Sequence, residues 1–406
     1  MRAIDHVVIE TIRALLRLRG ETAAQALAIQ LVKRIVDLDE AGHATLFQFL
    51  LDELGPDTKQ VDAAIASYQA SPSQSTVADL AEAAESERLR LFRLMNTAPG
   101  GISCLLGLRA ALLSVRREQP EFEPIERDLA HLLRSWFNRG FLELRQLDWR
   151  TPAHVLEKLI QYEAVHEIHG WSDLQRRLAP DRRSFGFFHP SLPDEPIIFV
   201  EVALTEGMAS SIQTVLNTPP VEIESAVDSA IFYSITNCQR GLSGISFGNF
   251  LIKHVTQRLQ AELPQLSTFA TLSPIPGFRK WADEQDQVDP TDPASLEAAC
   301  AEFLLGARRR SLPADPVARF HLRNGARLER INIDGDTSDK GMSESYGVLV
   351  NYRYSGQDLE ANHEALVIDG VVVASADVIA TAGERVDPNL VTSVPAGAMT
   401  EVDIAM

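Results

Sequence analysis

The chain is poor in cysteine: Cys104, Cys238 and Cys300 are all that 406 residues hold. No two stand at a metal-pair spacing, and they frame no disulfide scaffold, so a reducing compartment is expected. Positive charge is scarce too. Thirty-eight Lys and Arg face 56 Asp and Glu, for a formal net charge of −18. Nucleic acids and anionic membranes select basic surfaces, so neither is an expected partner. No apolar run reaches the length of a bilayer span. The opening Met1-Arg2-Ala3-Ile4-Asp5 reads as neither signal nor transit peptide, and Ile404-Ala405-Met406 is not the peroxisomal tripeptide. Cytoplasm is the resulting expectation. No repeat of roughly 20–50 residues is visible. Two nucleotide signatures, G-x-G-x-x-G and G-x-x-x-x-G-K-[ST], are also missing. What remains is ordinary globular composition, 45% hydrophobic and 23% charged, with length for two or three cores.

The organising stretch runs from Ser229 to Phe278. SAIFYSIT reads as a buried strand, apolar, aromatic and β-branched. A loop follows, with Gly241, Gly244 and Gly248. Then comes a helix with Leu251, Val255, Leu259 and Leu263 on one face, stopped by Pro264. TFATLSPIPGF is a second strand, ending at Ser273. Glycines let amides approach an anion, and a helix N-terminus adds donors and a favourable dipole, so a phosphate is the expected guest. The plainer reading is a turn whose glycines serve packing alone. The unit looks like the core of the GCN5-related N-acetyltransferase fold, whose loop cradles the coenzyme A pyrophosphate. Its match to the R-x-x-G-x-G/A loop of that fold is imperfect.

Residues 1–175 read as helix after helix, including one long amphipathic segment over 75–95, and Thr151-Pro152 as a helix start. This part is expected to serve assembly, without chemistry. His166-Glu167-Ile168-His169 is one residue short of the H-E-x-x-H metal spacing and lacks a third ligand, so no metal is expected and a hydrogen-bonded structural role is the better reading. Residues 176–406 change texture. Ser184–Pro190 is aromatic and turn-rich, IIFVEVALT is a strand, and 280–316 reads as a helical insertion. Arg308-Arg309-Arg310 reads as its solvated end, complementing the dipole; Arg308–Arg310 and Arg279-Lys280 are alternative holders of a coenzyme A 3′-phosphate. Asn324-Gly325 is a strong hairpin signal, placing His321 on a strand. YGVLVNYRY is a strand, Asp369-Gly370 a further hairpin turn, and a frayed tail starts at about residue 380. Cys238 reads as a small core residue.

Together these pieces resemble malonyl-CoA decarboxylase. The resemblance rests on Phe188-His189-Pro190, Val202–Thr205, Ala230–Ile235, Leu272-Ser273-Pro274-Ile275-Pro276-Gly277-Phe278, Phe320-His321-Leu322-Arg323-Asn324-Gly325-Ala326 and Asn351-Tyr352-Arg353-Tyr354. It implies a helical N-terminal domain followed by an acyltransferase-like catalytic domain with a mixed sheet. It implies Ser273 as proton acceptor and His321 as proton donor, with Ser234 and Tyr354 also in the active site. It places the malonyl-CoA loop on Ser243, Gly244, Ile245, Ser246, Phe247, Gly248 and Asn249. Some family members carry a glutamate where this chain has Ser246, which here would instead cap the following helix.

The implied reaction converts malonyl-CoA to acetyl-CoA and CO2 without an organic cofactor, because the thioester carbonyl accepts the electrons. The site must stabilise an enolate oxyanion and return a proton, a task suited to a histidine titrating near neutrality. Two other readings stand beside it: an acyl-CoA-dependent acyltransferase and a non-catalytic coenzyme A ester sensor. A homo-oligomer, dimer or tetramer, is expected.

Overall fold

A computed structural model of the chain describes residues 3–220, 226–245 and 250–393. Two compact units emerge: Met1–Glu143 with Phe188–Ile197 and Asn237–Ser246, and Leu144–Phe187 with Ile198–Thr236 and Phe247–Met406.

The first unit holds α1 (Ala3–Arg17), α2 (Glu21–Val36), α3 (Glu40–Asp52), α4 (Thr58–Ala70), α5 (Gln74–Ala83), α6 (Glu87–Asn96), α7 (Gly101–Val115) and α8 (Glu123–Trp136). Apolar residues three and four apart form their buried stripes: Val8, Ile12 and Leu15 on α1, Leu31, Val32 and Ile35 on α2, Ile125, Leu129 and Leu132 on α8. The segment 75–95, read as one helix, is two. α5 opens with a reciprocal Ser73–Thr76 capping box. The chain breaks before α6, where the Ser86 hydroxyl donates to Asp128 at 2.6 Å. Inside this unit, Arg109 is 3% exposed and its guanidinium bonds Glu126 at 2.6 Å. It also donates to the Gly241 carbonyl.

The second unit is a sheet flanked by helices. Its elements, apart from Glu143, Phe188–Ile197 and Asn237, which fall in the first unit, are β1 (Glu143–Leu147), α9 (Ala153–Tyr162), α10 (Trp171–Arg177), β2 (Arg182–His189), β3 (Leu192–Thr205), α11 (Ile212–Asn217), β4 (Ser229–Asn237) and α12 (Phe250–Glu262). After these come β5 (Thr268–Thr271), β6 (Ser273–Pro274), α13 (Phe278–Ala282), α14 (Pro293–Gly306), β7 (Arg308–Arg309), β8 (Leu312–Pro313) and α15 (Pro316–Arg323). The last are β9 (Arg327–Asn332), α16 (Asp339–Ser345), β10 (Leu349–Arg353), α17 (Leu359–Ile368), β11 (Val372–Ala374), α18 (Ala376–Ala382) and β12 (Val391–Ser393). Strand order is β1-β2-β3-β4-β5-β10-β9-β11-β12, with β6 also on β10. β4 and β5 run parallel and β10 runs antiparallel to β5, so the sheet is mixed. The expected order of strand, glycine-rich loop, helix and strand is present, its two strands pair in parallel, and a mixed sheet follows the helical region. Ile231, Tyr233, Ala270, Leu272 and Leu349 bury one face of its centre.

Several local expectations fail. Ser184–Pro190 is mostly strand: β2 has six consecutive buried residues at its end. The Arg308-Arg309-Arg310 run is no helix end; β7 and β8 form a two-stranded hairpin, with Arg310 at φ +59° in its turn. Asp369-Gly370 makes no hairpin but ends α17, and β11 pairs in parallel with β9 and β12 instead. Regular structure continues past residue 380, through the end of α18 to β12 at the sheet edge.

The His321 hairpin is also overturned. Asp315 accepts from the amides of Val317 and Ala318 at 2.9 and 2.8 Å, and Pro316 follows at the first turn, so a helix starts there. It ends at Asn324-Gly325. The Ala326 amide donates to the His321 carbonyl at 3.1 Å and the Gly325 amide to the Leu322 carbonyl at 3.0 Å. These are the paired bonds of a Schellman cap, with Gly325 at φ +83°. An Asn-Gly pair supplies positive φ to a helix end as readily as to a hairpin, and the Asp-Pro start decides between them.

Candidate active site

Thr271 and Ser273 alternate with Ala270 and Leu272, so they face away from the buried cluster those two residues join. Val350 pairs with Ser273 across the sheet, and the Tyr352 amide donates to the Thr271 hydroxyl at 3.1 Å. α15 lays His321 over this face. Its ring stacks on Tyr352, centroids 4.7 Å apart and planes at 20°.

A hydrogen-bonded chain results. Ser273 Oγ donates to Thr271 Oγ1 at 2.8 Å. Ser273 Oγ lies 3.2 Å from His321 Nε2, and His321 Nδ1 lies 2.7 Å from the Tyr354 hydroxyl. A serine has one proton. With that proton on Thr271, Nε2 carries the hydrogen of the Ser273–His321 bond, and Nδ1 accepts from Tyr354. Ser273, His321 and Tyr354 are 5%, 4% and 6% exposed. Burial pushes the imidazole down to about 3 and the Tyr354 phenol well above its ordinary value. The sequence reading had His321 titrating near neutrality. The buried ring is instead neutral at pH 7, a hydrogen-bond donor at Nε2 rather than an imidazolium.

Ser234 lies two residues beyond Phe232, which pairs with Thr271. Its hydroxyl donates to Glu163 Oε2 at 2.7 Å. Glu163, which the sequence reading passed over, also accepts the amides of Val165 and His166 at 2.7 and 2.8 Å. Its only sequence signal was a carboxylate at the end of α9 beside the His-Glu-Ile-His run. That run is loop, and no group of three or more metal-type ligands occurs among the described residues. Burial holds His166 down to about 4. Thr271 and Tyr352 were also missed as parts of the site; in sequence they are ordinary strand residues.

In the glycine loop, Ser246, Phe247, Gly248 and Asn249 lie outside the described residues. Gly241 serves packing: a Cβ there would meet the Leu106 backbone oxygen at 2.3 Å. Gly244 has φ +75° with open space where a Cβ would stand. The amides of Ser243 and Ile245 donate back to Arg240 and Leu242 at 3.0 and 2.9 Å. The Gly244 amide makes no hydrogen bond among the described residues. The packing reading therefore holds at Gly241, while Gly244 leaves open space and an amide without a partner among the described residues.

The profile of the malonyl-CoA decarboxylase N-terminal domain matches residues 54–137, and that of the C-terminal domain matches 140–298 and 289–390. A crystal structure of malonyl-CoA decarboxylase from Agrobacterium vitis is 44% identical, with TM-score 0.88, covering 93% of this chain and all of that one (100%). The goose (Anser anser anser) mitochondrial malonyl-CoA decarboxylase is 35% identical over 342 residues, 71% of this chain and 68% of that protein. The mouse (Mus musculus) protein of the same name is 36% identical over 317 residues, 65% of this chain and 64% of that protein. The chain thus spans about two thirds of those relatives' length. Matches over both halves establish that this chain belongs to the malonyl-CoA decarboxylase family.

Proposed function

We propose that the protein is a carboxy-lyase that converts malonyl-CoA to acetyl-CoA and CO2, with Ser273 and His321 at the reacting atoms. The observation that carries the assignment of roles is the buried chain from Thr271 through Ser273 and His321 to Tyr354. Carbon–carbon cleavage releases CO2 and leaves its electron pair on the thioester as an enolate. The neutral Nε2–H is a donor for the developing oxyanion, and such a donor is typically worth about 3–4 kcal/mol. An anion beside the imidazole raises its proton affinity, so His321 gains basicity as the enolate forms. As its basicity rises the ring takes up a proton from solvent, and the imidazolium so formed passes its Nε2 proton, directly or through the Ser273 hydroxyl, to the enolate carbon and returns to the neutral form. Tyr354, held protonated, supports the ring at Nδ1. The net reaction takes up one proton from solvent and needs no organic cofactor.

In this reading the glycine loop, Ser243 to Asn249, binds the coenzyme A ester, and Ser234 and Tyr354 contact the acyl end or its partners. The helical unit serves as an assembly domain of a homo-oligomer, and the cytoplasm is the compartment proposed. No helix among the described residues is long and apolar enough to cross a membrane. Incubating the pure protein with malonyl-CoA and no acceptor tests the reaction. Release of CO2 with equimolar acetyl-CoA is expected. Turnover only on adding an amine or thiol acceptor would make it an acyltransferase, and tight binding without turnover would make it a sensor.

A further inference from the structure

Coenzyme A esters are polyanions, and this chain has a formal net charge of −18, so tight binding demands a local positive site. The two basic runs singled out in the sequence are poor candidates. Arg279 donates to the Met342 carbonyl at 2.8 Å and lies over the Tyr346 ring at 4.5 Å. Arg308 is half-buried and donates to the Gly370 and Leu390 carbonyls at 3.4 Å. Both are committed to protein contacts.

A different pair of arginines stands free. In the first unit a cavity of about 550 Å³ is lined by Arg134, Phe137, Asn138, Arg139, Gly140, Gly244 and Ile245. That volume suits a nucleotide-sized ligand. Its wall joins the last turn of α8 and the turn after it to the described part of the glycine loop. Neither guanidinium has a hydrogen bond or ion pair among the described residues, whereas Arg127, Arg109 and Arg88 nearby are all paired with carboxylates. Gly244 contributes an amide without a partner and no side chain to fill the space. The loop is held by buried Arg109, which bonds the Gly241 carbonyl and Glu126. Free cations, an unpaired amide and a preformed space converge there. Arg134 also complements the carbonyl end of α8, but the helix dipole gives no role to Arg139.

We infer that this cavity takes the 3′-phosphorylated adenosine end of the coenzyme A ester, with Arg134 and Arg139 on its phosphate. The inference rests on the proposed function and gives the helical unit, expected from the sequence to serve assembly without chemistry, a share in substrate binding. Binding remote from the reacting bonds acts on ground and transition states alike, so it lowers KM and leaves kcat alone.

The test compares two substrates, malonyl-CoA and malonyl-pantetheine, which lacks the nucleotide. Arg139→Ala, Arg134→Ala and the double variant should raise KM for malonyl-CoA about tenfold or more, the size expected for losing hydrogen bonds to a charged group. KM for malonyl-pantetheine and both kcat values should not move, and Arg139→Lys should recover part of the loss. Unchanged KM for malonyl-CoA, or an equal rise for both substrates, overturns the inference. If Arg134→Ala unfolds, Arg139→Ala, beyond the end of α8, decides alone. If the wild type releases no CO2, it is the lyase reading that has failed. Calorimetry with adenosine 3′,5′-bisphosphate then decides this one: binding by wild type and its loss in Arg139→Ala uphold it, and no binding by wild type overturns it.

Discussion

His321 is a residue whose environment contradicts its ordinary chemistry. An exposed imidazole is half-protonated near pH 6.5, whereas this one is held neutral down to about 3 by burial between Tyr352, Tyr354 and Ser273. His166 is held down to about 4 in the same way. Both folded values lie below the unfolded one. Below pH 6.5 the unfolded chain therefore binds more protons, and stability falls with pH until the folded values are reached. Denaturant unfolding at pH 7 and pH 5 should differ by about 2 kcal/mol for each ring, from these two alone. His321→Asn should shrink that difference by its own share. An unchanged pH dependence in that variant would show that the ring is solvated in the folded protein. The same burial fixes the resting form of the ring: neutral, with Nε2–H free to donate while Nδ1 accepts from Tyr354.

At the scale of the element, α15 is a short helix fixed at both ends, and its register alone places His321. Asp315 caps its start and Gly325 closes the Schellman turn that uses the His321 carbonyl. Gly325 is at φ +83°, and a Cβ there would stand 2.1 Å from the Leu359 carbonyl oxygen. Gly325→Ala should therefore lower unfolding free energy by at least about 2 kcal/mol, read as a fall in denaturant midpoint at unchanged slope, and lower turnover with it. A stability loss under about 0.5 kcal/mol would mean that the turn relaxes freely and does not fix the ring.

The β4 and β10 strands and the α12 helix were legible, because apolar alternation and helical periodicity survive folding directly. Ser273 and His321 were legible through their motifs. The helix carrying His321 was not, since Asn-Gly signals positive φ without saying which element precedes it. Thr271, Tyr352 and Glu163 were illegible for another reason. Their roles come from neighbours 81 residues apart for Thr271–Tyr352 and 71 for Glu163–Ser234, and no local pattern encodes such partners.

For the molecule as a whole, two tasks have to meet in one acidic chain. A polyanionic thioester must be held, and an electron pair left by departing CO2 must be stabilised and protonated. In the proposed reading, Arg134, Arg139 and the described part of the glycine loop answer the first in the helical unit, and the buried hydroxyl–imidazole–phenol chain answers the second in the sheet unit. The account depends on that chain being the chemical centre. The most direct measurement is steady-state CO2 release from malonyl-CoA by His321→Asn and Ser273→Ala, each checked for wild-type circular dichroism and thermal midpoint. Loss of general acid and oxyanion donation predicts kcat lower by about 100-fold or more in both variants. Folded variants that release CO2 at the wild-type rate would contradict it.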